Sequence, residues 1–130
     1  MSPRSRQDLA RVLLRRADGD LTLVLRVLDD ADIPDAIVGF HAQQAVEKSL
    51  KAVLSAREIS YDRTHAIDYL VGLVEDNGIA APASLSAAVE LSPWAVEFRY
   101  ADDDEPTLDR HAILDLVQEI RSWAGELVER

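Results

Sequence analysis

No cysteine occurs among the 130 residues of the chain. That excludes a disulfide framework, a thiolate zinc site, a haem attachment motif and a cysteine nucleophile. Glycine and proline number five each, too few for a low-complexity or linker-rich chain. With 48% hydrophobic and 29% charged residues, the composition is that of a globular protein and not of a disordered one. No run approaches the roughly 18 apolar residues of a membrane span. The basic opening MSPRSRQDLARVLLRR lacks the apolar stretch of a secretory signal. A soluble cytoplasmic protein with no membrane association is therefore expected. The length suits one domain over residues 1–130, able to bury about two-thirds of the surface its unfolded chain exposes.

Positive charge is also scarce. Fourteen Lys and Arg face 24 Asp and Glu, for a net charge of −10 at pH 7. Broad binding to nucleic acid needs many cations to displace counterions from phosphates, so only a small local basic site is compatible with this balance. The charges are unevenly placed: Arg4, Arg6, Arg11, Arg15 and Arg16 open the chain, and Asp102, Asp103, Asp104 and Glu105 form an acidic run near its end.

What the chain has in quantity is helical periodicity. Leu9, Leu13, Ala17, Leu21, Val24, Leu25 and Leu28 recur at intervals of three and four, the apolar stripe of an amphipathic helix. The spacing runs through Gly19 without a change of phase. Asp32-Ile33-Pro34 should end this helix, Asp32 capping a second one that Pro34 opens. The second helix, from about Pro34 to Arg57, buries Val38, Ala42, Ala45, Val46, Ser49, Leu50 and Val53 and carries His41, Gln44, Lys48 and Lys51 as a polar stripe on its other side.

Thr64 is the expected cap of a third helix holding Ile67, Leu70, Val71 and Val74, which Asn77-Gly78 stops in a left-handed turn. A fourth helix from about Pro82 carries Leu85, Ala88, Val89 and Leu91, with a bend or restart at Ser92-Pro93 and helix again from Trp94 to Tyr100. A fifth starts at Pro106, with the acidic run at its positive end, and bears Ile113, Leu116, Val117, Ile120, Trp123, Ala124, Leu127 and Val128. No segment alternates with the period of a strand. The fold class is all-α: a five-helix antiparallel up-and-down bundle with a proline bend in the fourth helix.

Most catalytic templates fail on residue type and spacing. The chain has no glycine-rich phosphate loop, no GxSxG elbow, no HExxH and no metal-site spacing of His or carboxylates. Neither a metal nor a cofactor is expected. Acid–base chemistry near neutral pH would fall to His41, His65 or His111. His111 reads as an ordinary exposed side chain beside Arg110, His65 as a residue holding its loop to the bundle, and His41 as part of the polar stripe.

The stretch Phe40-His41-Ala42-Gln43-Gln44-Ala45-Val46-Glu47-Lys48-Ser49-Leu50-Lys51-Ala52, then Thr64-His65, then Leu91-Ser92-Pro93-Trp94-Ala95-Val96-Glu97-Phe98-Arg99-Tyr100 resembles a HEPN domain, and the resemblance spans nearly the whole chain. It implies an up-and-down antiparallel helical bundle with an additional short helix, usually dimeric, and commonly encoded beside a minimal nucleotidyltransferase in toxin–antitoxin-like pairs. The family also contains metal-independent ribonucleases, whose signature is an Arg followed by a His after four to six residues. This sequence departs from that pattern. Seven residues separate Arg57 from His65, and eleven separate Arg99 from His111. The spacing matters because the imidazole must reach the attacking or leaving oxygen while the guanidinium holds charge on the same phosphate.

The expected role is therefore a HEPN-type binding module for a nucleotide or a partner protein, with no catalytic residue assigned. The alternative is a ribonuclease toxin with a rearranged site, Arg99 acting with His65 or His41. RNA is an expected ligand only under that second reading or through a small local site. Lys48 and Lys51 are the chain's only lysines, both inside the resembling motif. With His41 and Gln44 they can hold a phosphate, or they can satisfy carboxylates such as Glu97 or those of another subunit. Arg99-Tyr100 can bind a phosphate and stack a base, or form a buried salt bridge and a core tyrosine. His41, Gln44, Lys48, Lys51, His65, Arg99 and Tyr100 are thus the candidate nucleotide- or partner-binding residues. A homodimer is expected from the resemblance and from the apolar set Trp94, Phe98 and Trp123, more than one core needs.

Overall fold

The second helix organises the molecule. In a computed structural model of the chain, which describes residues 2–95 and 107–129, α1 spans Pro3–Val27, α2 Asp35–Ala56, α3 Ile67–Asp76 and α4 Arg110–Val128. Between α3 and α4 lie a single 3-10 turn, Ala83–Leu85, and a 3-10 helix, Ala87–Ala95. No strand is present among the described residues, so the all-helical, five-helix reading stands. Thirteen of the 22 residues of α2 are buried, because it packs against α1, α3, α4 and the 3-10 helix at once. Small side chains at Gly39, Ala42, Ala45 and Ala52 let these neighbours approach on several sides. The expected inward stripe from Val38 to Val53 is buried throughout.

In α1 the inward phase is Ala10, Leu14, Ala17 and Val24, one residue on from the expected Leu9 and Leu13. Leu25, placed in the core by its spacing, is 46% exposed. Ser2 caps this helix, its side chain accepting from the Ser5 amide. α3 buries the four expected residues, and Gly78 closes it at φ +67°, a conformation that glycine adopts without a Cβ penalty.

Three boundaries differ from expectation. Pro34, not Asp32, occupies the cap position of α2, with no side-chain cap; Asp32 instead donates its own amide to Asp30 within the turn. Ala66 precedes α3, and Thr64 Oγ1 accepts from the Ala66 amide rather than from the first turn of the helix. The last helix begins at Arg110, capped by Asp109, whose carboxylate accepts from the Ala112 amide at 3.2 Å. Pro106 and the acidic run at 102–105 lie outside the described residues.

The fourth helical segment is 3-10 and not α. Its buried residues explain why: Ala88, Leu91 and Trp94 are spaced by three, continuing from Leu85 of the preceding 3-10 turn, and side chains at i and i+3 eclipse in a 3-10 helix. Pro93 lies inside it. Trp94 seats against α2 at Gly39, where a Cβ would come within 2.5 Å of the indole. Trp94 is therefore core, only 5% exposed, and Trp123 is half-buried and donates its Nε1–H to the Ala80 carbonyl at 2.8 Å. Neither is spare apolar surface; Phe98 lies outside the described residues.

α4 is fastened to α1 and to the turn after it. Arg121 makes a two-pronged pair with Asp18, Nε at 2.7 Å and Nη2 at 3.0 Å. The Arg110 guanidinium pairs with Asp35 at 2.9 Å and also donates to the carbonyls of Val27, Leu28, Asp30 and Ile33. It thereby satisfies the open carbonyl end of α1, which lacks partners within its own helix.

Candidate functional site

The polar stripe of α2 faces protein, not open water. Its four members are half-buried, and two of them meet a carboxylate from α1. Asp20, 11% exposed, places Oδ1 2.8 Å from His41 Nδ1 and Oδ2 2.6 Å from Lys48 Nζ. One carboxylate thus takes an imidazole and an ammonium two turns apart on α2. The Phe40 ring stands edge-on to the His41 ring, centroids 5.1 Å apart, and restricts its rotation.

The second centre is Glu47, whose carboxylate is buried. Its Oε1 accepts from Gln43 Nε2 at 3.1 Å and Gln44 Nε2 at 3.5 Å and lies 2.9 Å from His65 Nδ1; its Oε2 accepts from Lys51 Nζ at 3.0 Å. Lys51 also donates to the Thr64 carbonyl at 2.8 Å, and Gln43 to the His65 carbonyl at 3.0 Å. Gln44 donates to Gln43 Oε1 at 2.8 Å. The cluster ties the loop that follows α2 back onto the helix. Burial by itself pushes the Glu47 carboxyl up, but hydrogen bonds from Gln43, Lys51 and His65 and the charge of Lys51 outweigh it, and its pKa falls below the ordinary 4.5. The carboxylate is therefore ionised at neutral pH. Removing one partner of such a buried pair strands the other, at about 3–5 kcal/mol.

The expected site residues thus fall into two groups: His41 and Lys48 on Asp20, and Gln44, Lys51 and His65 on Glu47. Arg99, Tyr100 and the carboxylate expected to serve the lysines, Glu97, lie outside the described residues. Three side chains that organise the groups were not singled out from the sequence: Asp20, Gln43 and Glu47. A signal existed for each. Asp20 lies three residues after Ala17 and four before Val24, both fully buried, so its position on α1 faces inward. Gln43, Glu47 and Lys51 are spaced by four, which stacks them on one face of α2.

Among the described residues no group of three or more His, Asp or Glu is placed to hold a metal ion. Each of the three imidazoles rests on a carboxylate, the third being His111, whose Nε2 is 2.7 Å from Asp29 on the exposed surface. His41 and His65 present Nδ1 to their carboxylates, which leaves Nε2 as the outward edge of each ring. His65 is 71% exposed and His41 23%.

Sequence comparison matches residues 10–127 to the HEPN domain family. No curated protein and no solved structure matches the chain. The family match covers most of the sequence, and the architecture is entirely helical among the described residues; the chain belongs to the HEPN family.

Proposed function

We propose that the chain is a non-catalytic HEPN binding module that engages a partner protein, one member of a toxin–antitoxin-like pair with a nucleotidyltransferase, and that it works as a homodimer. One observation carries this reading over a nucleotide cradle: both lysines of the motif end on carboxylates of the chain itself, Lys48 on Asp20 and Lys51 on Glu47. Cations already neutralised within the fold offer little to a phosphate. The stripe then serves to hold α1, α2 and the following loop in one arrangement, and recognition falls to the outer surface. Among the described residues, Leu25 and Ile37, 46% and 37% exposed, are the large apolar side chains most open to a partner.

The test is co-purification of the tagged chain with a small nucleotidyltransferase encoded in a neighbouring reading frame, followed by light scattering of each species. A stoichiometric complex supports the reading. A strictly monomeric chain at tens of micromolar that ignores that protein but binds ATP with saturation would replace it by nucleotide binding.

A second reading, the ribonuclease with a rearranged site, is favoured by one feature. Asp20–His41 and Glu47–His65 are carboxylate–imidazole pairs of the kind that orient a general base. Its test is incubation of the purified chain with single-stranded RNA in chelator. Cleavage that disappears in both His41→Ala and His65→Ala, with both variants folded, establishes catalysis; intact RNA leaves the binding module.

A further inference from the structure

On another face of the molecule, independent of the reading above, α1 and α4 enclose a shallow cleft of about 190 Å³ lined by Arg11, Leu14, Arg15, Arg121 and Glu129. We propose that this cleft is a binding site for a phosphoryl dianion, a free phosphate or the phosphate of a small monoester.

Three guanidinium groups meet here in a chain whose net charge is −10. Arg11 and Arg15 are one turn apart on α1, an arrangement of like charges that is mildly destabilising to a helix and that an anion between them would relieve. Arg15 is exposed and makes no ion pair among the described residues. Arg121 is held in place by Asp18, which takes Nε and Nη2, while Nη1 has no hydrogen-bond partner among the described residues. Nη1 lies across Gly125 of α4, where a Cβ would be 2.6 Å away; glycine leaves the room for the guanidinium to lie there. Leu14, 5% exposed, gives the cleft an apolar wall, which strengthens charge interactions beside it.

Two carboxylates oppose an anion. Asp18 is already spent on Arg121. Glu129 lies 3.4 Å from Arg11 Nε, and both side chains are about half exposed, longer than the 2.7–2.9 Å of a strong charge-assisted bond. Glu129 is thus a displaceable occupant of the place that the phosphate takes. Planar guanidinium forks suit phosphate oxygens better than a point charge would.

The probe is inorganic phosphate, titrated into the full-length chain at constant ionic strength and followed by the NMR signals of the arginine Nε–H groups. Saturable shifts confined to Arg11, Arg15 and Arg121 are expected. Arg15→Ala should weaken binding roughly tenfold, the loss of one charged hydrogen bond, and Glu129→Gln should tighten it roughly threefold by removing the competitor. Arg26→Ala, an exposed arginine of the same helix outside the cleft, makes the same charge change as Arg15→Ala and should leave the affinity alone. A parallel titration with glycerol 3-phosphate separates the sources: tighter binding assigns the site to a monoester, and equal or weaker binding to the free ion. Shifts that do not saturate, or an equal loss in Arg26→Ala and Arg15→Ala, would overturn the proposal.

Discussion

Gly39 and Gly19 are both helix-interior glycines, and replacing each with alanine should move stability in opposite directions. At Gly39 a new methyl meets the Trp94 ring at 2.5 Å from Cδ2, 2.7 Å from Cε3 and 2.8 Å from Cγ. The indole is rigid and buried between α2 and its own 3-10 helix, so it cannot turn aside as the end of a flexible side chain would. Overpacking typically costs about 1–3 kcal/mol, and three contacts this short place Gly39→Ala near the upper end. Alanine regains about 1 kcal/mol of helix propensity, for a net loss of about 2 kcal/mol. At this chain length that lowers the melting temperature by about 6–8 °C. Gly19 has nothing within 4 Å of its would-be Cβ, so Gly19→Ala keeps the propensity gain and should melt about 3–4 °C higher. Far-UV circular dichroism melts of the two variants, with Trp94→Ala as a third background, are sufficient. In that background the ring is gone and Gly39→Ala should turn neutral or stabilising. A Gly39→Ala protein melting at or above the wild type would refute the seating of Trp94 on α2.

Glu47 has a lowered pKa, so its contribution to stability is present above the unfolded value near 4.5 and is lost as pH falls through its folded pKa. Urea melts from pH 7 down to pH 3 should show a shallower acid decline in Glu47→Gln than in the wild type, while Glu47→Ala loses about 3–5 kcal/mol at pH 7 by stranding Lys51. Arg110→Ala should cost about 2–3 kcal/mol in chemical denaturation, because several charge-assisted bonds to the turn after α1 vanish together; Arg110→Lys, without the planar fork, should recover less than half of that. Glu58 has φ +61° just past the end of α2, where glycine is preferred. Glu58→Gly should therefore gain about 0.5–1 kcal/mol in the same assay, the exposed Arg6–Glu58 pair being worth little.

The α2 limits, the α3 stop at Gly78 and the inward face of α3 were legible because each rests on local periodicity or on one backbone conformation; the inward face of α4 was legible except for Leu114, buried where Ile113 was expected and is only partly so. The phase of α1 was less so: its apolar residues are dense enough to draw two stripes, and only packing on α2 selects Ala10 and Leu14 over Leu9 and Leu13. The fourth segment was legible as a helix but not in its 3-10 winding, although Leu85, Ala88, Leu91 and Trp94 already carry a three-residue period. At the candidate site, His41, Gln44, Lys48 and Lys51 could be placed on one face of α2, but not Gln43 and Glu47 beside them, nor what the face touches. Asp20 and His65 reach it from 21 and 18 residues away, and a tertiary pairing leaves no mark in local spacing. That is why Lys48 and Lys51 read equally well as a phosphate cradle and as internal ion pairs. The start of α4 was displaced because a favourable proline at 106 competed with an aspartate at 109, and the aspartate reaches the first turn.

The 3-10 segment also acts as a rotary selector. Residues advance by about 120° per step in a 3-10 helix and about 100° in an α-helix, so from Ala88 to Trp94 the two geometries diverge by about 120°. Were this stretch to relax into the commoner helix, it would shorten by about 3 Å, and Trp94 would swing away from the notch that Gly39 leaves in α2. The tryptophan therefore works as a pawl, engaged in only one winding of its backbone. The three-residue spacing of the segment's own buried side chains and a tryptophan lodged in a neighbouring helix thus favour the same winding.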